Sequence, residues 1–459
     1  MKNLIAAVSL TFGALIVGCS DGSNDSPAAS APPSSLTIVP SAAPEGAAGE
    51  MRTLTFRVTM TEPQSQPVNI VYRTVAGTAS EDQDYLQTAG ELTIPPGTIE
   101  GLVTVNLIGD GEEEAAETFI LQFSASDNTV PTETEVIGTI ANDDTACDKP
   151  FTKDPNPWLM QGAAPLNFAH RGGVTDFPEN TLYAYAEAAK AGADVLEMDV
   201  YQTKDNALVI LHDLDVDRTT NGQGDVVDLT LAELRELDAA YWFVAGVGTP
   251  HDRPDTEYTF RGIATGAQSP PAGYSAEDFR IPTLEEALER FPDELLNLEL
   301  KPDQDGVGNY EQLMAELLQR YGRSTDIIAA SFVDEAANNF KAAAPCIYSS
   351  VPFTQAFGLL ATYQGTGAFP DVLEHIGFQA PPDTSQIGDQ IPGNDAISLI
   401  TRDIVAASHA ANLAVQVWTI NSCAEMLRMI SLGVDGIMTD QPLLLEKILS
   451  TPPEQRKCD

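Results

Sequence analysis

Two histidines stand beside charged residues at the ends of short apolar segments. His170 is followed by Arg171, and His212 is followed by Asp213. An imidazole changes its charge near neutral pH, so two histidines brought together can act as a general acid and a general base. The other three histidines lie in loop or helical surroundings and not at the ends of predicted strands, and we predict structural roles for them: His251, His375 and His409.

Acidic residues and one lysine alternate along two further apolar segments. Glu197 and Asp199 are two residues apart, as are Glu299 and Lys301. Residues two apart on a strand face the same side, and three carboxylates directed to one place repel unless a divalent cation lies between them. Oxygen ligands favour Mg²⁺ or Ca²⁺ over zinc. Because a guanidinium fork matches phosphate oxygens, Arg171 and Lys301 predict a site for a phosphate group.

From residue 165 onward, strand-like apolar segments alternate with helical ones and carry all of these residues. We predict eight strands, at 166–170, 195–200, 208–212, 295–301, 327–332, 347–351, 414–419 and 436–439. Eight parallel βα units predict a TIM barrel, in which reactive groups lie at the C-terminal ends of the strands. The link 201–207 is too short for a helical crossover, and 376–380 is a further candidate strand.

Residues 36–144 follow a different pattern. Buried-type side chains alternate at Leu54, Phe56, Val58 and Met60, and short strand-like runs follow at 68–74, 91–94, 102–108, 118–123 and 136–140. Period-two runs separated by Gly, Pro and Asp turns predict an all-β sandwich.

The chain is strongly acidic, with a formal net charge of -43. Such a charge excludes nucleic-acid backbones and anionic membrane faces as partners. Residues 20–144 contain 20 acidic residues and three arginines, and several of the acids fall at strand ends. Carboxylate clusters in flexible loops are typical of Ca²⁺ sites, although an acidic surface also serves solubility alone.

The amino terminus has the layout of a secretory signal peptide. Lys2 precedes an apolar run at 4–17, which ends in Gly18, Cys19 and Ser20 and is too short to span a bilayer comfortably. Residues rich in Ser, Ala and Pro at 20–35 predict a flexible tether, and prolines at 145–164 predict a linker. The domains are therefore 1–19, 20–35, 36–144, 145–164 and a barrel at 165–455 with an insertion at about 213–280.

Export would make the four remaining cysteines candidates for disulfide bonds. Cys147 and Cys458 flank the predicted barrel, and we hypothesise a bridge that joins its ends. Pairing of Cys147 with Cys346 is an open alternative.

The barrel motifs resemble the glycerophosphodiester phosphodiesterase family. The resemblance covers about 165–450 and rests on these segments: 169–172 (AHRG), 178–181 (PENT), 197–200 (EMDV), 212–213 (HD), 297–301 (NLELK), 417–421 (VWTIN) and 439–440 (TD). It implies that His170 and His212 are the acid and base, and that Arg171 and Lys301 bind the phosphate. The implied metal ligands are Glu197, Asp199 and Glu299.

The same resemblance places Trp418 at the glycerol pocket, although a tryptophan that fills the barrel is an equal alternative. Glu179 is expected to hydrogen-bond within the loop that carries His170. In the insertion, Tyr241–Phe243 and Arg261 either line the alcohol side of the pocket or pack within the cap.

The sandwich resembles a Calx-beta domain. The resemblance rests on residues 71–74 (VYRT), 77–79 (GTA), 84–85 (DY), 117–119 (ETF) and 142–144 (NDD). The implied Ca²⁺ ligands are Glu45, Asp84, Asp110, Glu114, Asp143 and Asp144. Gly109 and Asn142 stand where fuller sites carry acids.

The segment Ile16-Val17-Gly18-Cys19 resembles a bacterial lipobox. It implies lipidation of Cys19, and Ser20 would direct the protein to the outer membrane of a Gram-negative host, on its periplasmic or surface face. Plain cleavage and secretion is the alternative.

These features predict an exported enzyme, anchored by lipid, that hydrolyses glycerophosphodiesters to sn-glycerol 3-phosphate and an alcohol with a divalent metal. One alternative is a phospholipase C or D-like enzyme acting on intact lipids, which an exposed apolar rim at the barrel mouth would favour. Another is a Ca²⁺-binding adhesion or surface lipoprotein with an inactive barrel.

Overall fold

A computed structural model describes residues 34–46, 51–110, 116–124, 129–131, 134–141, 153–301, 310–370, 374–387 and 397–458. The predicted leader with Cys19, and also Cys147, lie outside the described residues. Within these ranges, no helix is both long and apolar enough to cross a bilayer.

The predicted β-sandwich is confirmed. Its strands are β1 (Ser34–Ile38), β2 (Ser41–Pro44), β3 (Met51–Met60), β4 (Val68–Ala76), β5 (Ala89–Ile94), β6 (Glu100–Ile108), β7 (Glu117–Ser124), β8 (Thr129–Pro131) and β9 (Glu135–Ala141). They form two sheets, in the orders β6-β3-β1-β8 and β2-β9-β7-β4-β5. Alternate side chains of both sheets meet in one core, where the rings of Tyr85 and Phe119 stack at 4.6 Å.

The predicted TIM barrel is also confirmed, as a nearly closed barrel of seven parallel strands. These strands are β10 (Leu166–Ala169), β11 (Val195–Gln202), β13 (Leu295–Leu300), β14 (Ile327–Ala330), β15 (Gly377–Ala380), β16 (Ala414–Val417) and β17 (Gly436–Thr439). Their order is β14-β13-β11-β10-β17-β16-β15. Between β14 and β15, single parallel bridges at Ser349 and Ser350 span the gap.

Two predicted barrel strands differ from the structure. The segment predicted at 208–212 forms β12 (Leu208–Ile210), which pairs antiparallel with β11 and is not a barrel strand. The short link explains this, because Asn206 at a φ of 68° closes a tight turn that leaves no room for a crossover helix. The segment 347–351 makes only the single bridges, and the further candidate at 376–380 is the barrel strand β15.

The barrel is surrounded by helices. They are α1 (Leu182–Lys190), α2 (Leu231–Leu234), α3 (Leu284–Arg290), α4 (Tyr310–Arg320), α5 (Asp334–Ala343), α6 (Phe353–Thr366), α7 (Arg402–Ala410), α8 (Cys423–Leu432) and α9 (Pro442–Ser450). Several begin at a threonine that caps the free backbone N–H groups, and Thr283 with Glu286 forms a capping box at α3.

The amino-terminal end of the barrel is filled by apolar side chains. Trp158, from the segment before β10, is only 1% exposed and packs with Phe168, Val195 and Ile328. Its indole N–H donates to the carbonyl of Thr325 at 3.0 Å, so the polar end of the ring is also satisfied. This end of the barrel is therefore closed.

The predicted bridge between Cys147 and Cys458 is wrong. Cys458 is bonded to Cys423 at the start of α8, with the two Cα atoms 5.7 Å apart. The chain after α9 turns back because Arg456 donates to the carbonyls of Leu449 and Thr451, which brings the carboxyl terminus to α8. Cys346 is disulfide-bonded as well.

Candidate active site

A tight turn after β10 sets the position of His170. Arg171 adopts a φ of 53°, and Gly172 and Gly173 follow at 84° and 103°. A Cβ at either glycine would lie 2.8 Å from a neighbouring side chain, so both positions require glycine. The turn places His170 Nδ1 2.5 Å from Asp440 Oδ1, at the end of β17, and leaves Nε2 for the interior of the mouth.

The three predicted metal ligands lie together. Glu197 and Asp199 follow each other on one face of β11, and Asp199 is directly opposite Glu299 on β13. One ligand atom from each lies within 4.8 Å of the others, and within the described ranges this is the only such group of His, Cys, Asp or Glu. Glu197 and Asp199 are 1% and 0% exposed.

The pKa values of these acids are driven apart. Burial, followed by the charges of Asp199 and Glu299, raises the pKa of Glu197 well above its usual range. Burial acts in the same direction on Asp199, but Lys301 and Arg171 outweigh it and hold the pKa of Asp199 far below its usual range. The cluster thus has more negative charge than its protein partners neutralise.

This donor set fits a divalent cation. Three carboxylate groups supply hard oxygen ligands, and the raised pKa of Glu197 marks the surplus charge that a cation would neutralise. The backbone N–H of Arg171 donates to Glu197 Oε2 at 2.8 Å, and Asn180 donates to Asp199 Oδ2 at 3.1 Å. These bonds orient the carboxylates around the site.

The two predicted phosphate-binding residues reach the same place. Lys301 Nζ lies 2.8 Å from Asp199 Oδ1 and 2.7 Å from Glu299 Oε1. Arg171 Nε lies 3.4 Å from Asp199 Oδ2, and its Nη1 donates to Glu179 at 3.2 Å. Burial alone would lower the pKa of each cation, but the neighbouring acids reverse this effect and raise it, so both stay charged.

A second set of ion pairs holds His212. Its Nδ1 lies 2.7 Å from Asp213 Oδ1, and Asp213 Oδ2 accepts from Arg218 Nε at 2.5 Å. Arg218 also donates to both carboxylate oxygens of Glu179, at 2.7 and 2.8 Å. Glu179 therefore hydrogen-bonds both arginines, as predicted for this loop residue.

Asp440, Asp213 and Arg218 were not among the predicted site residues. Asp440 is fixed by Asn421, whose Nδ2 donates to Asp440 Oδ2 at 2.5 Å. The sequence does contain a signal for Asp213 and Asp440, because each directly follows the C-terminal end of a predicted strand. A carboxylate on Nδ1 favours the tautomer with hydrogen on that nitrogen, which leaves Nε2 of each histidine free to exchange a proton.

Both histidines and several of the charged groups around them line one cavity of about 220 Å³. Its charged side carries His170, Arg171, Glu197, His212, Glu299 and Lys301, and its apolar side includes Phe332, Val351, Phe353, Trp418 and Met438. Trp418 therefore lines the pocket, and it also packs edge-on against Phe332, with ring centroids 5.3 Å apart.

The insertion is not part of this lining. Arg261 stacks over the rings of Tyr241, Trp242 and Tyr258, at 3.8 to 4.7 Å from their centroids. Phe243 is 1% exposed. Of the two alternatives for these residues, the structure supports packing within the cap.

The cavity floor is a chain of side-chain amides. Gln379 Nε2 donates to Asn297 Oδ1 at 2.6 Å and to Gln416 Oε1 at 3.0 Å. Both hydrogens of the Gln379 amide are thus donated to neighbouring side chains. Its oxygen, Oε1, remains as an acceptor at the cavity.

The sequence model for the glycerophosphoryl diester phosphodiesterase family matches residues 170–444, more than half of the chain. The chain belongs to this family. The predicted identity as an enzyme of this family is thereby confirmed, and the match includes every charged residue of the cavity.

Individual relatives cover the same region. A glycerophosphodiester phosphodiesterase of Caldanaerobacter subterraneus subsp. tengcongensis is 31% identical over 279 residues, 60% of this chain and 94% of the relative. One of Bacillus subtilis is 28% identical over 289 residues, 62% and 86% of the two chains. The solved structure of an Oleispira antarctica phosphodiesterase in complex with the product sn-glycerol-3-phosphate is 24% identical, with a TM-score of 0.44, and the match covers 63% of this chain and 98% of that chain.

A Calx-beta domain model matches residues 47–145, which confirms the predicted class of the sandwich. Of the predicted Ca²⁺ ligands, Glu114, Asp143 and Asp144 lie outside the described residues. Asp84 Oδ2 accepts from the backbone N–H of Ser80 at 2.6 Å, and Asp110 follows the end of β6. Glu45 follows β2 and is 4% exposed.

The ion pairs of Glu179 give a stability prediction. Burial raises its pKa, but the hydrogen bonds from Arg218 and the charge of Arg171 outweigh burial and lower the pKa below the ordinary 4.5. We expect Glu179→Gln to lower the free energy of unfolding by about 2–4 kcal/mol at neutral pH, because it leaves two arginines without their shared partner. Urea unfolding followed by circular dichroism measures this difference.

Because the folded pKa is depressed, this stabilisation is complete above the ordinary carboxyl range and is lost as the pH falls through the folded pKa. The difference between wild type and variant should therefore shrink only below pH 4.5. Glu236→Gln, at an exposed acid, is the control and should change stability by less than about 0.5 kcal/mol. Equal stability of wild type and Glu179→Gln at pH 7 would contradict the role given to Glu179.

Proposed function

We propose that the protein hydrolyses glycerophosphodiesters to sn-glycerol 3-phosphate and an alcohol. One observation carries the proposal: two histidines, each with a carboxylate on Nδ1, line one cavity with two fixed cations and with Glu197 and Glu299, which cluster with the buried Asp199. Two of the relatives described above are named glycerophosphodiester phosphodiesterases, which supports the same substrate class.

The phosphate would bind on the charged side of the cavity. Glu197, Asp199 and Glu299 would hold a divalent cation, Mg²⁺ or Ca²⁺, which when bound withdraws charge from the non-bridging phosphate oxygens. Arg171 and Lys301 add fixed positive charge from largely buried positions, where such charge stabilises the developing negative charge better than it would in water. Their ion pairs hold both groups in place before substrate arrives.

The histidines would transfer the protons. One Nε2 takes the proton of the attacking oxygen, of water or of the substrate's glycerol, as that oxygen bonds to phosphorus. The other Nε2 gives a proton to the alcohol oxygen as its bond to phosphorus breaks. Where the glycerol oxygen attacks, water then opens the cyclic phosphate in a second step. Asp440 and Asp213 keep each ring in one orientation and stabilise the imidazolium form as it appears. The apolar side of the cavity, with Trp418, would accept the organic part of the substrate.

The histidines can be tested directly. His170→Ala and His212→Ala should each lower kcat for glycerophosphocholine by roughly 10²–10⁴-fold, because a proton-transfer group is lost. Release of glycerol 3-phosphate in a coupled assay measures the rate. His251→Ala should retain activity. Undiminished turnover in either active-site variant would overturn these roles, and no turnover by wild type would favour the alternative of an inactive barrel in a surface protein.

Metal dependence can be tested separately. Chelation should abolish turnover of glycerophosphocholine, and added Mg²⁺ or Ca²⁺ should restore it, because the three carboxylates repel one another without a cation. Asp199→Asn should weaken metal binding by roughly tenfold or more in titration calorimetry. Asp252→Asn, at an exposed acid, should bind metal like wild type. Full activity after exhaustive chelation would contradict metal dependence.

We also propose that the Calx-beta domain binds Ca²⁺ through the predicted acids, supported by the match to that family and by the acidic strand ends. Calorimetry on the full chain should show a Ca²⁺ binding phase that Asp84→Asn with Asp110→Asn removes while turnover remains. An unchanged isotherm in this double variant would refute the site.

Lipid anchoring at Cys19 and placement at the outer membrane stay proposals that rest on the sequence around that residue. Expression in a Gram-negative host with labelled palmitate should label the wild type and not Cys19→Ser. Label in neither protein would favour plain secretion.

A further inference from the structure

Two side-chain amides at the cavity floor have hydrogen-bonding capacity that the protein does not use. Gln379 Nε2 donates both of its hydrogens, to Asn297 Oδ1 and to Gln416 Oε1. This leaves the hydrogens of Asn297 Nδ2 and the lone pairs of Gln379 Oε1. Within the described part of the chain, no protein group hydrogen-bonds either of these two atoms, although both residues line the cavity. We call Asn297 and Gln379 the floor pair.

The floor pair presents one donor and one acceptor in direct contact, because the two amides are joined at 2.6 Å. Reversal of all three amides would exchange the donor and the acceptor, and one of each would still remain unused. A hydroxyl group satisfies both at once, since its hydrogen donates to an amide oxygen and its oxygen accepts from an amide nitrogen. In either orientation the pair therefore fits an alcohol.

The floor pair does not fit the phosphate of the substrate. The oxygens of a phosphodiester accept hydrogen bonds and have no hydrogen to donate at neutral pH, so they cannot satisfy an amide oxygen. The phosphate-binding side of the cavity also lies further along the barrel. Glu299 and Lys301 follow Asn297 by two and four residues, and two residues span about 6–7 Å along a strand. The organic part of the substrate is what remains for the floor pair.

Burial makes the floor pair selective. Asn297 is 2% exposed and Gln416 is 1% exposed, and the cavity lining includes the buried apolar side chains of Val351 and Met438. A substrate without the matching hydroxyl group would displace water from the amides and leave both atoms unpaired, which is costly in such surroundings. Sites that hydrogen-bond a hydroxyl group of the substrate therefore reject the analogue that lacks it.

Glycerol has two hydroxyl groups besides the oxygen that is esterified to phosphate. The one on the neighbouring carbon stays close to phosphorus, where it can act as the attacking oxygen. The terminal one lies further from phosphorus. Because the floor pair is separated from Lys301 along β13, its position fits the terminal hydroxyl group.

We propose that Asn297 and Gln379 determine specificity by binding the terminal hydroxyl group of the substrate's glycerol. Gln416 is a positioning residue in this arrangement, because its Oε1 accepts from Gln379 Nε2 and helps to fix the amide. The inference rests on the proposed function, since it takes the phosphate to be bound at Arg171 and Lys301. Full activity then requires a glycerol whose terminal hydroxyl group is free.

Two substrates that differ in one hydroxyl group test the proposal. Glycerophosphocholine carries the terminal hydroxyl group, and the phosphocholine diester of propane-1,2-diol, of matching configuration, lacks only that group. We expect the wild type to hydrolyse glycerophosphocholine with a kcat/KM roughly 10–100-fold higher, because the diol ester leaves two buried groups unpaired. Release of choline, measured with choline oxidase, follows both reactions. Similar kcat/KM values for the two substrates would overturn the proposal and leave the proposed function intact.

A variant then assigns the effect to the floor pair. Gln379→Met keeps the length of the side chain and removes its hydrogen-bonding groups. We expect kcat/KM for glycerophosphocholine to fall roughly 10–100-fold, mainly through a higher KM, while the value for the diol ester stays within about threefold. The control Gln312→Met changes an exposed glutamine of α4 and should leave both values unchanged.

The remaining outcomes also decide. Equal losses on both substrates in Gln379→Met would show that this residue acts at the phosphate or the cation, and would overturn its assignment to the hydroxyl group. If circular dichroism shows that the variant does not fold, the ratio of the two substrates in the wild type decides alone. No turnover of either substrate by the wild type would overturn the proposed function and the inference with it.

Discussion

A surplus of buried negative charge governs the mouth of the barrel. Three carboxylates lie together there: Glu197, Asp199 and Glu299. Two cations, Arg171 and Lys301, form ion pairs with them. Burial, followed by repulsion from Asp199 and Glu299, raises the pKa of Glu197, and a proton or a further cation would relieve this. An arrangement that costs stability in this way is typical of sites that bind a charged ligand, because nothing in folding alone favours it.

The surrounding ion pairs connect both halves of the acid–base pair. From His212 the contacts run through Asp213, Arg218 and Glu179 to Arg171. The turn that contains Arg171 also begins with His170, so the two imidazoles are joined through a continuous set of charged contacts. This network fixes the loops that carry the two histidines relative to each other, so the two imidazoles keep one arrangement.

The sequence was sufficient for most of the fold and for the charged side of the site. Period-two spacing placed Glu197 with Asp199 and Glu299 with Lys301 on common faces, and strand order then brought them together. The sequence was not sufficient where contacts between segments determine how a strand pairs. The segment at 208–212 has the apolar pattern of a barrel strand, but a four-residue turn made it fold back on β11.

Other features depend on contacts between distant segments. The pairing of Cys458 with Cys423 follows from how the chain turns after α9, and four cysteines alone permit three pairings.

Trp158 closes the amino-terminal end of the barrel, although it belongs to the segment before the first barrel strand. Its ring fills the space among Phe168, Val195 and Ile328, and its N–H satisfies Thr325. A chain cut just before β10 would therefore leave an apolar void under the catalytic level and a carbonyl without its donor. The smallest piece of this protein that can fold as a barrel begins ahead of the first strand, within the stretch that joins it to the sandwich.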